Sequence, residues 1–192
     1  MKQVNANDLL QSLKEDSVFL LEQIENISIY TPVELLETND GEGRWNTLQV
    51  LEHLNTYYRY YLPHIEKAIA ASSAQPQQYF KPGWLGNYFT NSMKPKDGQV
   101  KNKMKAMGKH NPDPKLDAKA VMRDFLHYQR TFVLLLEKGK QADLNSVKVP
   151  ISIASFIRLK LGDVFSFIVA HNNRHWIQIE KLLERFPSVR TA

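Results

Sequence analysis

Four long segments of the chain repeat apolar residues every three or four positions, the spacing that collects them on one side of an α-helix. The few β-rich stretches are too short and isolated to build a sheet, although residues 147–151 suit an extended conformation. The sequence therefore predicts an all-α protein. The predicted helices run from about Asn7 to Asn26, from Asn46 or Thr47, from near Asp117 to Gly139, and from Gly162 to about Phe186.

Each predicted helix has a stripe of residues that should face a common core. The stripes are Leu10, Leu13, Leu20, Ile24 and Ile27; Leu51, Leu54, Tyr58, Tyr61 and Ile65; Val121, Phe125, Tyr128, Phe132 and Leu135; and Val164, Ile168, His171, His175, Ile179 and Leu182. Asn46 followed by Gln49 is a capping-box sequence that favours a helix start. Pro63 should kink the second helix or cost it a hydrogen bond, and Gly139 is expected to cap the third.

The connection between the second and third helices, residues 72–116, is long, basic and proline-containing. A structureless connection of this length is unusual. It can return along the whole bundle, so the helices that it joins can lie parallel. With 192 residues and 43% hydrophobic content, the chain is expected to form one domain over residues 1–192.

The net charge of +5 comes from one region of the chain. Eight lysines and three aspartates lie between Lys94 and Lys119, and the remaining 17 basic and 17 acidic residues cancel. This region has no arginine for bidentate base contacts and no aromatic residue after Phe89 for stacking on bases. A solvated loop is expected there, and no nucleic-acid partner.

Two features are absent from the sequence: cysteine, and a segment that could target the chain to a membrane or span one. The chain has no cysteine, so a metal site must use nitrogen and oxygen ligands. The N-terminus lacks a basic region followed by an apolar run, and no stretch approaches the roughly 20 apolar residues that span a bilayer. A cytoplasmic protein without a membrane partner is expected.

His171 and His175 lie one helical turn apart on the buried stripe of the last predicted helix. An unpaired polar group in a core costs about 1–3 kcal/mol, whereas a shared divalent metal satisfies both imidazoles. The alternative is chance, because this spacing also arises on exposed helix faces. The pair suggests a metal site that needs a third ligand.

Four other histidines are candidates for that ligand. His53 lies beside the apolar stripe near the start of the second helix, so it can point into the core. His64 is about 16 Å further along the helix, too far to share an ion with His53, and is expected in a groove or on the surface. His127 stands alone and is expected to be structural, whereas His110 is expected to be solvated in the lysine-rich loop.

Two segments carry a resemblance to a known family. The first is Trp45 followed by Val50-Leu51-Glu52-His53-Leu54, and the second is Leu161 to Ile179, which contains Ala170-His171-Asn172-Asn173-Arg174-His175-Trp176. With these segments, the helix count and the long connection, the chain resembles the DinB-like superfamily over most of its length. The region from Tyr79 to Lys119 is the least similar.

The resemblance implies a four-helix bundle in up-down-down-up order, with a long crossover between helices two and three, and often a homodimer. It implies a divalent metal held by His53, His171 and His175, with Gln178 completing a His-x-x-x-His-x-x-Gln pattern. Some relatives resemble hydrolases and others are similar to S-transferases that use low-molecular-weight thiols. A small-molecule substrate in stress or detoxification metabolism is therefore expected, and both reactions stay open.

Three neutral imidazoles leave a divalent ion with open coordination positions, which is typical of a catalytic site. Such an ion can lower the pKa of a bound water towards about 7, or bind and activate a small thiol. Nitrogen donors suit zinc, nickel, copper and iron. Zinc or nickel is the leading expectation, with iron or manganese as further candidates.

Several residues near the histidines can serve such a site. Tyr57, one turn after His53, can line a cavity or donate to a bound ligand, although core packing explains it equally well. Asn172 and Arg174 are expected at the rim, and Trp176 in packing. No general base is identified among the nearest carboxylates, which are Glu52 on another face of its helix, Asp124 exposed on the third helix, and Asp163 at a helix start.

Two other classes of function are considered. One is a non-enzymatic helical bundle that binds a small apolar ligand, with a structural or absent metal. The other is a nucleic-acid-associated protein that uses the lysines between Lys94 and Lys119.

Overall fold

The computed structural model describes residues 2–95, 99–100, 106 and 108–185. Its helices are α1 (Ala6–Tyr30), α2 (Val33–Leu36), α3 (Thr47–Ala70), α4 (Trp84–Met93), α5 (Ala118–Gly139) and α6 (Leu161–Leu183), with a 3₁₀ turn at Gly108–His110. Two pairs of antiparallel strands accompany them: β1 (Val4–Asn5) with β2 (Tyr79–Phe80), and β3 (Lys148–Ile151) with β4 (Ala154–Lys160). The protein is mostly helical.

The four long helices are those that the apolar periodicity predicts, and they pack around one hydrophobic core. Every residue of the predicted stripes is buried except Tyr128, which is half-buried. The predicted capping box starts α3, since Asn46 and Gln49 each accept a bond from the other's main-chain N–H, at 2.9 and 3.1 Å. Phe186, the predicted end of α6, lies outside the described residues. None of the described helices combines the length and apolar character that crossing a membrane requires.

The connection of residues 72–116 contains a helix that is not among those predicted. This helix, α4, packs against α6, and its buried positions are the small residues Gly86 and Thr90. A Cβ atom at Gly86 would lie 2.3 Å from Cβ of Asp163, so only glycine allows this close approach. Its large apolar residues Leu85, Phe89 and Met93 lie four positions apart but are only partly buried, and ten residues give too short a pattern to identify a helix. The prediction of an irregular connection is therefore wrong for residues 84–93.

The prediction of a protein without sheet is also wrong. Residues 148–151 are extended, as expected, but they pair with β4 in a hairpin that packs on α3. The hydroxyl of Tyr60 donates to the main-chain oxygen of Ile151 at 3.1 Å, and that of Tyr61 accepts from the main-chain N–H of Ser152 at 3.2 Å. β4 buries only Leu159 and leaves Phe156 exposed, so alternation in its sequence is weak.

The predictions for Gly139 and for Pro63 have different outcomes. Gly139 ends α5 with a helical backbone rather than as a left-handed cap, so its predicted role is wrong. A Cβ there would lie 2.9 Å from the Phe165 ring, so the close approach of α6 accounts for this glycine. α3 continues through Pro63 to Ala70, and the cost of the proline is the N–H that it lacks.

A chain of buried polar groups links all four long helices. Asn172 of α6 donates to the Tyr58 hydroxyl of α3 at 2.6 Å, and this hydroxyl donates to the side-chain oxygen of Gln129 on α5. The Gln129 amide then donates to the main-chain oxygen of Ser17 on α1 at 2.7 Å. All four residues are at most 3% exposed, so the prediction that Asn172 lies at a rim is wrong. These bonds fix the register of α3 against α6.

Removing the central hydroxyl tests this chain. Tyr58→Phe should lower the free energy of unfolding by about 1–3 kcal/mol, because two buried amides lose a partner while the ring volume is kept. Urea unfolding measures the change. Tyr30→Phe, at a residue that is 54% exposed, is the matched control and should change stability by less than about 0.5 kcal/mol. Equal losses in the two variants would contradict the role of the buried chain.

Candidate metal centre

Three histidine side chains converge between α3 and α6. Nε2 of His171 lies 3.2 Å from Nε2 of His53 and 3.1 Å from Nε2 of His175. One potential ligand atom from each residue lies within 4.8 Å of the other two. The exposed fractions are 3%, 4% and 8% for His53, His171 and His175. The fold thus brings together the three histidines that the sequence selects.

Local structure explains why these rings meet. His171 and His175 are one turn apart on α6, and their ring centroids are 4.6 Å apart. His53 lies in the second turn of α3, where the ring of Trp45 packs on it at 4.9 Å. Tyr57, one turn later, contacts the ring of His171 at 4.4 Å. Packing of the Trp45 and Tyr57 rings therefore restrains the imidazoles of His53 and His171.

In two of these rings Nδ1, the nitrogen that faces away from the cluster, lies near a hydrogen-bond acceptor. Nδ1 of His53 lies 2.7 Å from the main-chain oxygen of His110, and Nδ1 of His175 lies 3.1 Å from Oε1 of Gln178. Each Nδ1 must therefore carry the proton, which leaves a lone pair on Nε2. A proton on Nε2 of His171 would have to be shared between two acceptors, whereas a cation would accept a lone pair from all three rings. The donor set fits a divalent metal.

Burial keeps these imidazoles neutral. It is the largest cause that lowers the pKa of His53, places the pKa of His171 well below its usual value, and lowers that of His175 to about 3. The neighbouring histidines lower the pKa values of His171 and His175 further, since two adjacent imidazolium ions repel. Neutral imidazole is the form that binds metals, so no proton has to be removed first.

His110 adjoins the three histidines, and the prediction that it is solvated is wrong. It is 3% exposed, because the 3₁₀ turn folds its ring against Tyr57 at 4.0 Å. Its Nδ1 lies 2.8 Å from the Thr56 hydroxyl and its Nε2 lies 3.1 Å from the Ser152 hydroxyl. Thr56 donates its only hydroxyl proton to the main-chain oxygen of His53, so the His110 Nδ1–H donates to Thr56 and Ser152 donates to Nε2. Periodicity carries no signal for such a loop residue.

A cavity of about 280 Å³ opens beside the three histidines. Tyr57 and Arg174 line it, together with Phe167 of α6 and Ser152 of the hairpin turn. Arg174 is 8% exposed and so belongs to the wall rather than to an exposed rim. Trp176 packs against Phe19 with ring centroids 6.2 Å apart, which agrees with its predicted packing role. The histidine cluster is therefore accessible to a small molecule.

A sequence model of the DinB superfamily matches residues 10–179, which include all three histidines and the four long helices except the ends of α1 and α6. The chain belongs to the DinB superfamily. Among solved structures, this DinB-superfamily protein is similar to YfiT from Bacillus subtilis, with 14% sequence identity and a TM-score of 0.54 over 95% of this chain and 87% of that chain. YfiT is described as a probable metal-dependent hydrolase with an unusual four-helix bundle topology. At this identity the similarity supports a shared fold, and no curated protein matches the chain.

The carboxylates nearest in sequence lie away from the centre in this DinB-superfamily protein. Glu52 pairs with Arg59, and Asp124 pairs with Arg123 at 2.9 Å. Asp163 is buried at the start of α6, where it accepts the main-chain N–H of Gly83 at 3.0 Å, and burial raises its pKa. Among the described residues, no aspartate or glutamate lines the cavity beside the histidines.

The remaining histidines, His64 and His127, do not line the cavity, and neither does any described lysine. Nδ1 of half-buried His64 bonds to the main-chain oxygen of Tyr60 at 2.7 Å, and His127 is exposed. Within the predicted basic loop, Lys94, Lys109, Lys115 and Lys119 are exposed, as predicted, although Nζ of Lys109 also donates to the main-chain oxygen of Ser152. Four further lysines fall outside the described residues: Lys96, Lys101, Lys103 and Lys105.

The depressed pKa values predict how acid affects the metal-free protein. Unfolded imidazoles protonate near pH 6.5, whereas His175 and His110 in the fold resist protonation to about pH 3 and about pH 4. Below pH 6.5 the unfolded chain therefore binds protons that the native state does not, and the free energy of unfolding should fall until about pH 3. Urea titrations across this range measure how steeply the free energy of unfolding falls with pH. His175→Gln should make this dependence shallower, whereas the exposed control His127→Gln should not. Identical pH dependence in the parent protein and His175→Gln would contradict the low pKa of His175 in the fold.

Proposed function

We propose that this protein is a divalent-metal-dependent enzyme that acts on a small molecule in the cavity beside His53, His171 and His175. The observation that carries the proposal is the convergence of three buried Nε2 atoms, two of them freed as lone-pair donors by bonds at Nδ1. Zinc or nickel suits this donor set best, and iron or manganese are the further candidates. The burial of the three rings supports a site that is formed before the metal arrives.

A divalent ion held there would act as a Lewis acid that lowers the pKa of a water or thiol in its open positions. The chain's own residues hold and shield the substrate. Burial raises the pKa of Tyr57 to about 12, so its hydroxyl keeps its proton and can donate a hydrogen bond to a substrate oxygen. The mainly apolar wall offers few groups that would hold water beside the reacting atoms.

Two reactions are candidates, and the cavity favours transfer of a low-molecular-weight thiol. Amide hydrolysis needs a group that passes a proton to the leaving amine, and no carboxylate among the described residues lines the cavity. A thiol that has lost its proton to solvent can form a C–S bond while a carbon–halogen bond breaks, and the halide leaves as an anion without needing such a group. Hydrolysis is the second candidate, favoured by the description of the structurally similar YfiT as a probable metal-dependent hydrolase.

A non-enzymatic role is the alternative to both reactions. The cavity wall is mainly apolar, as expected for a protein that stores or carries a small apolar ligand with a structural or absent metal. Two observations would favour this role. The fold would be retained after chelation, and any metal in the untreated protein would have no solvent ligand.

The up-down-down-up order is part of the proposal, and contacts between helices support it. Contacts of α1 with α6, and of α3 with α5, advance in the same direction along both helices, as for parallel neighbours. Contacts of α3 with α6 advance in opposite directions. The supporting pairs are Asp16–Asn173 and Phe19–Trp176, Asn55–Val121 and Lys138–Glu66, and His53–His175 and Tyr61–Phe167.

Assembly and location also remain proposals. A homodimer is proposed from the family resemblance, and exposed apolar side chains such as Phe156 and Trp84, at 87% and 75% exposure, offer a surface that it could cover. A single domain over residues 1–192 and a cytoplasmic location are retained as predictions.

Metal analysis of the purified protein tests the ligand assignment. The parent should bind about one divalent ion per chain, and His53→Gln or His171→Gln should weaken binding by more than about 100-fold, beyond the loss typical of removing an outer partner. His64→Gln and His127→Gln are matched controls that should retain the metal. A metal-replete preparation without stoichiometric metal, or an equal loss in His127→Gln, would contradict the assignment.

A reaction panel separates the two candidate chemistries. With the metal-loaded protein and 1-chloro-2,4-dinitrobenzene, a panel of cysteine, glutathione and 2-mercaptoethanol should give chloride release and a thioether, and chelation should abolish the enzyme-dependent rate. Aryl ester and anilide hydrolysis are measured in parallel. Hydrolysis without thiol transfer would select the second candidate, and neither reaction across broad panels would favour the non-enzymatic role.

A further inference from the structure

The cavity beside the three histidines has a wall of aromatic and aliphatic side chains. Its volume of about 280 Å³ is comparable with the lower end of small-molecule pockets. The ring-bearing residues of the wall, apart from the histidines, are Trp45, Tyr57, Tyr61, Tyr88, Phe89 and Phe167. Such a wall gains free energy by removing apolar surface of a ligand from water.

The aromatic wall is continuous with the candidate metal ligands. The ring of Phe167 lies parallel to that of His171, with an interplanar angle of 6° and centroids 5.8 Å apart. Tyr57 contacts the same imidazole from another side, at 4.4 Å. A flat apolar group in the cavity would therefore lie directly beside the atoms proposed to hold the metal.

The charges around the cavity narrow the ligand class further. Among the described residues no aspartate or glutamate lines the wall to neutralise a cationic ligand, whereas the guanidinium of Arg174 does line it and repels one. A divalent ion at the three histidines would repel an ammonium group at short range. Neutral or anionic molecules are therefore favoured over amines.

We propose that this cavity recognises an aromatic or similarly bulky apolar group of a neutral or anionic electrophile and holds it beside His171. This inference rests on the proposed function, because it names the class of substrate on which the metal centre would act. Apolar recognition itself depends on the wall and not on the metal. An experiment can therefore contradict apolar recognition by the wall without contradicting the metal-dependent function, and the reverse.

The mouth of the cavity offers positions that can be changed without touching the histidines. Tyr88 and Ile153 line the cavity while remaining 61% and 44% exposed, which places them where it meets solvent. Ser92 of α4 is half-buried in the wall, and its hydroxyl donates to the main-chain oxygen of Phe89 at 2.7 Å. A larger side chain at Ser92 would fill the cavity from its α4 side.

The first experiment measures binding of N-phenyl-1-naphthylamine, a neutral probe that fluoresces when it leaves water, to the metal-free protein. Ser92→Trp should weaken binding by about tenfold or more, because the new ring occupies the cavity. Ser28→Trp is the matched control, since Ser28 is exposed on α1 and makes the same hydroxyl bond three residues back, also at 2.7 Å. Tyr88→Ala, which removes a ring from the cavity wall, should weaken probe binding more than Tyr30→Ala, at positions that are 61% and 54% exposed. Absence of probe binding, or equal binding by Ser92→Trp and Ser28→Trp, would overturn the inference.

The second experiment uses the metal-loaded protein. 1-Naphthylmethanol should displace the probe about tenfold better than 1-naphthylmethylamine, and equal displacement would overturn the charge preference. Benzohydroxamate, whose head group chelates metals, should bind about tenfold more tightly than acetohydroxamate. If the naphthyl probe binds in the cavity but neither hydroxamate binds, apolar recognition stands and the proposed metal-dependent function fails. If both hydroxamates bind equally, the metal centre stands and the aromatic preference is overturned.

Discussion

The buried hydrogen-bond chain from Asn172 through Tyr58 and Gln129 to Ser17 is the constraint on which the arrangement of the helices depends. Apolar stripes alone allow helices to slide, because many registers bury similar areas. A buried amide permits only registers that give it a partner, since leaving it unpaired costs about 1–3 kcal/mol. Tyr58 and Asn172 sit on the two helices that carry the histidines, so the same bonds that satisfy the core set the relative heights of His53 and His171.

The candidate metal centre depends on this register. Burial disfavours charge on the imidazoles, and the bonds at Nδ1 of His53 and His175 orient the lone pairs inward. One of these bonds comes from the main chain of His110, within the long connection between α3 and α5. The connection is therefore part of the centre, which explains how a segment with little periodicity can matter to the site.

Much of the fold could be predicted from the sequence, because α3 and α6 bury continuous stripes of large apolar residues. The three histidines could be selected because His171 and His175 share one such stripe and the segment around His53 resembles the DinB family. The helix α4 could not be predicted, because it has only ten residues and its fully buried positions are Gly86 and Thr90, while its large apolar side chains are at most partly buried. The burial of His110 and the inward position of Asn172 depend on partners distant in sequence, Ser152 and Tyr58, which no local pattern identifies.

The central claim is that His53, His171 and His175 together hold one divalent ion. The most direct test is anomalous X-ray diffraction from crystals of the native protein, recorded on both sides of the absorption edge of the metal found by elemental analysis. The claim predicts one strong anomalous peak per chain at about 2.0–2.2 Å from Nε2 of each of the three histidines. A stoichiometric metal bound elsewhere, or no anomalous peak between the three rings in metal-replete crystals, would contradict it.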